Sequence, residues 1–291
     1  MQIPASVVGT SAGPHEQSVD ARWLMAYAAA LGEDAPEYFD TTRPEGIVAH
    51  PLFPVCYEWP LALDLRAKTL SDEIAGRGVH ATHRLVLHRP PRPGDRLSTT
   101  ATVAALERRT PGAYMVLRME TVDSAGRLVS TTDYGSLYLG VDCDACSSTA
   151  FSARKRGHGE EWLTQQWAAS WSTQLTIPST LAHTYTECAR IWNPIHTDRA
   201  VAVGAGLPDI ILHGTATLAL TISQTLRHDP RGAATPVRSI ACRFGAMVRL
   251  PSRVTVRGQK PISSAEGPLV RFEALAEDGR PAVRDGQIIL R

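Results

Sequence analysis

The chain has 291 residues, a formal net charge of +1 at pH 7 and 43% hydrophobic residues. This length predicts one large domain or two of ordinary size, and the near-neutral charge argues against a nucleic-acid partner, which would favour a basic stripe. No apolar run approaches the roughly 20 residues of a membrane-spanning helix, and the first residues lack the charged-then-apolar order of a signal peptide. Five cysteines without a dense framework fit a reducing cytoplasm. We therefore expect a cytoplasmic protein with no membrane partner.

The sequence repeats itself once along the chain. The segment YAAALGEDAPEYFD at residues 27–40 is matched by YTECARIWNPIHTD at residues 185–198, a spacing of 185 − 27 = 158 residues. After each copy comes an apolar stretch that opens at a histidine, His50 in the first half and His213 in the second. Each stretch is long enough for one buried helix.

Each half then ends in runs of strand-forming residues. These runs cover residues 96–107, 112–123 and 127–140 in the first half, and residues 237–250, 253–260, 268–279 and 281–290 in the second. Val, Thr, Leu and Tyr are frequent in the first-half runs, which Pro-Gly or Ala-Gly turns divide. Helical material followed by an antiparallel sheet, twice over, predicts an α+β fold rather than a parallel α/β fold.

The predicted domains are residues 1–141 and 173–291, joined by a linker at 142–172. The linker segment is polar and rich in small residues. It contains a C-x-x-C at Cys143 and Cys146 and a basic run at residues 154–156. A zinc site would need further ligands nearby and a redox motif would need a βα turn, so we favour a connecting loop and predict no metal.

The second copy of the repeat holds the candidate chemistry. His196 is a natural proton carrier because its ordinary pKa lies near neutrality, Asn193 is a plausible orienter, and Pro194 stiffens the loop that presents them. Asp198 or Thr197 can cap a short helix through RAVAVGA, for which Gly206 is a suitable end.

A second, longer helix is predicted from Gly214. Leu218, Ile222 and Leu226 are spaced four apart, which gives that helix one apolar face. A glycine in the first turn lets a ligand approach the backbone. The free N–H groups at the helix start can polarise a carbonyl oxygen, which suits a reaction that passes through an enolate.

These motifs resemble the MaoC-like hydratase/dehydratase family, also called the enoyl-CoA hydratase 2 type. The resemblance rests on NPIH at residues 193–196, followed by Gly206 and His213-Gly214, and the first half resembles the N-terminal partner domain of two-domain members. It implies a double hot dog fold, in which two antiparallel sheets each wrap a long helix. The implied substrates are acyl thioesters of coenzyme A or acyl carrier protein, and a homodimer is possible.

The resemblance also assigns roles. It implies interconversion of a trans-2-enoyl thioester and its (R)-3-hydroxyacyl counterpart, with His196 as the catalytic histidine and Asn193 as its support. The Gly214 amide would hold the thioester carbonyl. We include His213 and Thr215 beside it in the predicted substrate-binding set, although the side chain of His213 itself is expected to hydrogen-bond locally at the helix entry. No cofactor is expected beyond the coenzyme A or phosphopantetheine of the substrate itself. The first half would be a non-catalytic domain that widens the substrate tunnel.

The chain departs from the family pattern at one position. The family has Gly-Asp-x-Asn-Pro-aliphatic-His, and its aspartate, half of the acid–base pair, falls here on Ile191. Another carboxylate could take that role, for example Glu187 one helical turn earlier, although a solvated glutamate is the commoner reading. Alternatively, His196 acts alone as the base of a thioester isomerase or cyclase, or the protein is a non-catalytic thioester-binding subunit of a heteromeric dehydratase.

Overall fold

The computed structural model describes residues 1–144, 147–148 and 167–291. The helices are α1 (Ala21–Ala30), α2 (Pro36–Phe39), α3 (Pro54–Thr69), α4 (Asp72–Ala75), α5 (Leu181–Ala189), α6 (Arg199–Gly204) and α7 (Gly214–Arg227). The strands are β1 (Gln2–Ile3), β2 (Ser11–Ser18), β3 (Gly78–Leu87), β4 (Arg96–Arg109), β5 (Gly112–Asp123), β6 (Leu128–Leu139), β7 (Asp142–Cys143), β8 (Ser147–Ser148), β9 (Trp171–Ile177), β10 (Val237–Phe244), β11 (Ser252–Gly258), β12 (Leu269–Leu275) and β13 (Pro281–Leu290). Single 3-10 turns lie at Ala5–Val7, Pro194–His196 and Gly232–Ala234. The predicted α+β class is confirmed.

One large antiparallel sheet runs through both halves. Its strand order is β2-β4-β5-β6-β3-β10-β13-β12-β11-β9, so the second half repeats the first in reverse across the middle. The halves join where β3 pairs antiparallel with β10, with Leu85 opposite Ile240 and His83 opposite Cys242. This pairing satisfies the backbone groups of two strands that would otherwise be sheet edges.

A long helix packs against the sheet in each half. In α7 the predicted apolar face is buried, with Leu218, Ile222 and Leu226 at most 2% exposed. The helix α3 begins at Pro54, a position where proline costs no hydrogen bond, and Leu61 and Leu65 of that helix are buried. The helices α3 and α7 each pack against their half of the continuous antiparallel sheet. This arrangement is the predicted double hot dog fold.

The two copies of the repeat meet at equivalent tyrosines. Tyr27 on α1 and Tyr185 on α5 are both fully buried, their hydroxyl oxygens are 3.5 Å apart, and their ring centroids are 5.8 Å apart. Burial raises the pKa of both phenols well above the usual value. The sequence repeat therefore corresponds to a buried contact between the two halves.

The connection between the halves lies mostly outside the described residues, including Cys146 and the basic run at residues 154–156. Cys143 is buried in β7, which pairs in parallel with β1. The strand β9 begins at Trp171, two residues before the predicted start of the second domain. The predicted domain boundaries stay predictions.

Candidate active site

The His196 loop is shaped by its own sequence. The helix α5 ends at Ala189 and is followed by the C-cap residue Arg190, whose φ of 57° is left-handed and breaks the helix. The guanidinium carbon of Arg190 lies 4.0 Å from the centre of the Trp23 ring. The side chain of Asn193 then accepts a hydrogen bond from the Ile195 N–H at 3.4 Å and caps the 3-10 turn. Asp198 caps α6 as predicted. These contacts fix the turn that carries His196.

His196 is held in one tautomer by a backbone carbonyl. Its Nδ1 lies 2.8 Å from the Ile211 oxygen, and since a carbonyl only accepts, Nδ1 carries the proton and Nε2 is left with a lone pair. Burial lowers the pKa of His196 to about 4. The imidazole is therefore neutral near pH 7 and able to accept a proton at Nε2.

His213 supports the His196 ring. The two imidazoles stack with centroids 3.7 Å apart, and Nε2 of His213 hydrogen-bonds with the Thr186 hydroxyl at 3.2 Å. Burial, followed by the neighbouring His196, lowers the pKa of His213 well below its usual value. His213 thus packs against the candidate base and leads into α7.

The amino end of α7 opens beside these histidines. Its N-cap residue His213 makes no side-chain capping bond, and the first N–H groups of any helix have no partner within the helix. A Cβ at Gly214 would lie 3.4 Å from the Phe244 ring, an ordinary packing distance. The absence of a side chain there exposes the backbone of the first turn to the cavity.

One cavity of about 980 Å³ contains all the predicted site residues. Asn193, His196, His213, Gly214 and Thr215 all line it. The volume falls within the usual range for small-molecule sites. His196 and the amino end of α7 at Gly214 are separate in the sequence but therefore line the same cavity.

Ile191 occupies the cavity wall at the position of the missing aspartate. It is 3% exposed and lines the cavity with His196. Because α5 ends at Ala189, Ile191 lies beyond the helix, and the expectation that Glu187 shares a helical face with it is wrong. Glu187 is exposed and is not among the residues of the cavity wall.

The structure also brings to the cavity residues that sequence reasoning missed. They are Glu58 on α3 and His80 and His83 on β3, all from the first half. Glu58 had a recognisable signal, because it is a single carboxylate with apolar neighbours on both sides in PVCYEWPLA. The Ile211 carbonyl, which orients His196, had no recognisable sequence signal, because every residue type supplies a backbone carbonyl.

Within the described ranges, no group of three or more His, Cys, Asp or Glu residues is arranged to hold a metal ion. No helix in that part of the chain is long and apolar enough to cross a membrane.

The fold and the site together define a double hot dog protein with one site shared by its two halves. Residues 6–132 match the family described as a FAS1-like dehydratase domain region, and residues 166–263 match the MaoC like domain. Over these two ranges the chain is similar to a FAS1-like dehydratase region followed by a MaoC-like domain. The resemblance stated from the sequence is confirmed.

A curated relative and several solved structures are also similar to this chain. A UPF0336 protein of Streptomyces coelicolor is 28% identical over 140 residues, which cover 45% of this chain and 91% of that protein. The MaoC-like dehydratase of Phytophthora capsici superposes with a TM-score of 0.82 at 19% identity, over 98% of this chain and 96% of that one. Full-length peroxisomal multifunctional enzyme type 2 of Drosophila melanogaster gives a TM-score of 0.77 at 19% identity, over 95% of this chain and 48% of that one. A conserved Mycobacterium tuberculosis protein with a double hot dog fold gives 0.62 at 18% identity, over 97% and 94%. At these identities the solved structures establish the shared fold.

Proposed function

We propose that the protein is a hydro-lyase that adds water to, or removes it from, an acyl thioester. The trans-2-enoyl and (R)-3-hydroxyacyl forms are interconverted with His196 as the base and the amino end of α7 as the carbonyl-binding group. The observation that carries the proposal is the Nδ1–Ile211 hydrogen bond, which leaves His196 Nε2 unprotonated in the cavity that α7 opens into. Asn193 supports the turn rather than the imidazole.

In dehydration, Nε2 of His196 takes the proton from C2 of the thioester. The thioester oxygen gains negative charge as that bond breaks, and the N–H groups at Gly214 and Thr215 stabilise it. The hydroxyl group on C3 then leaves as water once it receives a proton. The second-half motif supplies the base that removes the C2 proton and the N–H groups that stabilise the thioester oxygen. Ile191 cannot supply the proton for the leaving hydroxyl group.

The substrate is proposed to be a thioester of coenzyme A or of an acyl carrier protein, since both present the same pantetheine arm. No separate cofactor is needed because the arm belongs to the substrate. The cavity wall near His196 includes Leu212, Phe244 and Val248, which suit the apolar part of an acyl group. Association into a homodimer is part of the proposal.

Hydration of crotonyl-CoA and longer enoyl-CoAs, followed through the loss of enoyl-thioester absorbance, tests the proposal. His196→Gln is expected to abolish turnover while the fold is retained. His15→Gln is the matched control, because His15 lies on the outer strand β2 and bonds to Gln17. Equal turnover by wild type and His196→Gln would exclude His196 as the base.

The side chain of Ile191 in the cavity wall favours a second candidate, a thioester isomerase or cyclase that needs only one base. In that case simple enoyl-CoAs show no turnover, but wild type exchanges the α-proton of butyryl-CoA with deuterated solvent and His196→Gln does not. Binding of butyryl-CoA without exchange would instead indicate a non-catalytic subunit. Absence of both binding and exchange contradicts every thioester function considered for this site.

A further inference from the structure

The cavity is built from both halves of the chain. From the second half come the His196 loop and the start of α7, and from the first half come α3 and β3, whose Glu58, His80 and His83 are in the wall. The ring of Phe244 connects the two sides. It lies next to the Gly214 backbone, and its centroid is 4.3 Å from that of His80.

Glu58 differs from the other carboxylates of this wall. Asp72 and Glu73 also line the cavity but are exposed to solvent, whereas Glu58 is 2% exposed. Among the described residues these three are the carboxylates of the lining. Of these three carboxylates, only Glu58 can therefore transfer a proton in a space shielded from bulk water.

One oxygen of the Glu58 carboxyl group is held and the other is not. Oε1 accepts hydrogen bonds from the Thr132 hydroxyl at 2.8 Å and the Ser130 hydroxyl at 3.3 Å. Oε2 is buried and has no hydrogen-bond partner among the described residues. A buried polar atom without a partner is costly, so Oε2 is available to bond a group that enters the cavity.

We propose that Glu58 is the acid–base carboxyl group of the reaction, in the role that Ile191 leaves empty. This inference rests on the proposed function. In dehydration, the C2–H bond breaks, its proton goes to Nε2 of His196, and its electron pair forms the C2=C3 double bond. The C3–O bond breaks with its electron pair on oxygen, which takes the Glu58 proton and leaves as water. The products are the enoyl thioester, protonated His196 and Glu58 carboxylate, and return of the proton from His196 to Glu58 completes the cycle.

The raised pKa of Glu58 suits the proton transfers of this cycle. Burial raises its pKa from 4.5 to about 7, against the opposing hydrogen bonds from Thr132 and Ser130. A general acid works best when its pKa lies near the working pH. With the pKa of His196 at about 4, the two groups together hold one proton between these values. Dehydration needs that proton on Glu58, and hydration needs it on His196.

The groups around Glu58 allow its titration to be recognised. Cys56 and Tyr57 precede it on its own helix and interact with it electrostatically. The other titratable groups of the cavity wall are Arg66, Asp72, Glu73, Arg77, His80, His83, Tyr134, His196 and His213. Loss of hydration lowers the pKa of all four histidines, and burial raises the pKa of Cys56 and Tyr57. Arg66 stays charged. A loss of activity as pH rises through about 7 is therefore assigned to Glu58.

The test compares kcat, KM and the pH profile of enoyl-CoA hydration in wild type and Glu58→Gln. We expect kcat to fall by roughly 10²–10⁴-fold, the alkaline limb near pH 7 to disappear and the dissociation constant of butyryl-CoA to stay unchanged. The control is Glu33→Gln, since Glu33 is also buried but pairs with Arg227 in a different part of the molecule. That variant should retain wild-type kinetics.

The possible failures can be told apart. If wild type hydrates enoyl-CoA and Glu58→Gln has a wild-type kcat and pH profile, the inference is overturned and the proposed function stands. If wild type has no activity, both are overturned. If Glu58→Gln does not bind butyryl-CoA, Glu58→Asp decides the question because it keeps a carboxyl group. That variant must retain turnover with an alkaline limb, and loss of the limb overturns the role of Glu58.

Discussion

Replacing Glu58 by glutamine is expected to change how the free energy of unfolding depends on pH. The pKa of Glu58 is about 7 in the folded chain because of burial, against an ordinary value of 4.5. Between these values the folded chain holds a proton that the unfolded chain has released, so the contribution of this group to stability falls as pH rises. Below pH 4.5 both states are protonated, and above pH 7 both are ionised.

The magnitude follows from the two pKa values. Their difference is about 7 − 4.5 = 2.5, and since each tenfold change in an ionisation constant is worth about 1.36 kcal/mol, the cost of ionising Glu58 in the fold is on the order of 3 kcal/mol. Glutamine has nearly the same shape and does not ionise. From pH 5 to pH 8, wild type should therefore lose on the order of 3 kcal/mol relative to Glu58→Gln.

Urea unfolding of both proteins at several pH values between 5 and 8 measures this difference. The comparison cancels every other titrating group, because both proteins contain them. A constant difference in stability across this range would refute the reasoning, since it would mean that Glu58 ionises alike in the folded and unfolded chains.

Three further outcomes are expected. Gly214→Ala should retain the melting temperature, because its Cβ meets Phe244 at an ordinary 3.4 Å. The same variant should lower kcat/KM for enoyl-CoA, because the added methyl group obstructs the start of α7. An unchanged kcat/KM would show that the thioester does not approach the protein there. Ile191→Asp places a carboxylate in the cavity wall with His196 and should partly restore turnover to a Glu58→Gln background, whereas no recovery would show that this position cannot reach the reacting oxygen. Asp198→Ala removes the cap of α6 and should lower the free energy of unfolding by about 1 kcal/mol in urea titrations, which an unaltered unfolding midpoint would contradict.

The sequence was sufficient for the parts of the fold that depend on local pattern. The spacing of Leu218, Ile222 and Leu226 predicted the buried face of α7, and the 158-residue repeat predicted two similar halves. Asp198 was a correct cap because its side chain acts on the next residues in the chain. Such features require only neighbours in sequence, so they can be derived without a structure.

The parts that failed depend on distant contacts. The environment of Glu58 is set by Thr132 and Ser130, 72 or more residues away, and no periodicity reports that pairing. Glu187 was considered because a helix would have placed it near Ile191, but the left-handed Arg190 ends the helix first. The stacking of His213 on His196 also arises only when α7 docks.

The two halves, whose strands pair through β3 and β10, belong to one chain, and this affects how the protein can evolve. In an assembly of two identical hot dog chains, every substitution appears twice, so both copies of a site change together. Here the halves are covalently joined and can change separately. The first half has Tyr38 where the second has His196, and α7 contains no carboxylate where α3 has Glu58. In a fused pair, one half can thus supply the base and the other the acid–base carboxyl group proposed above.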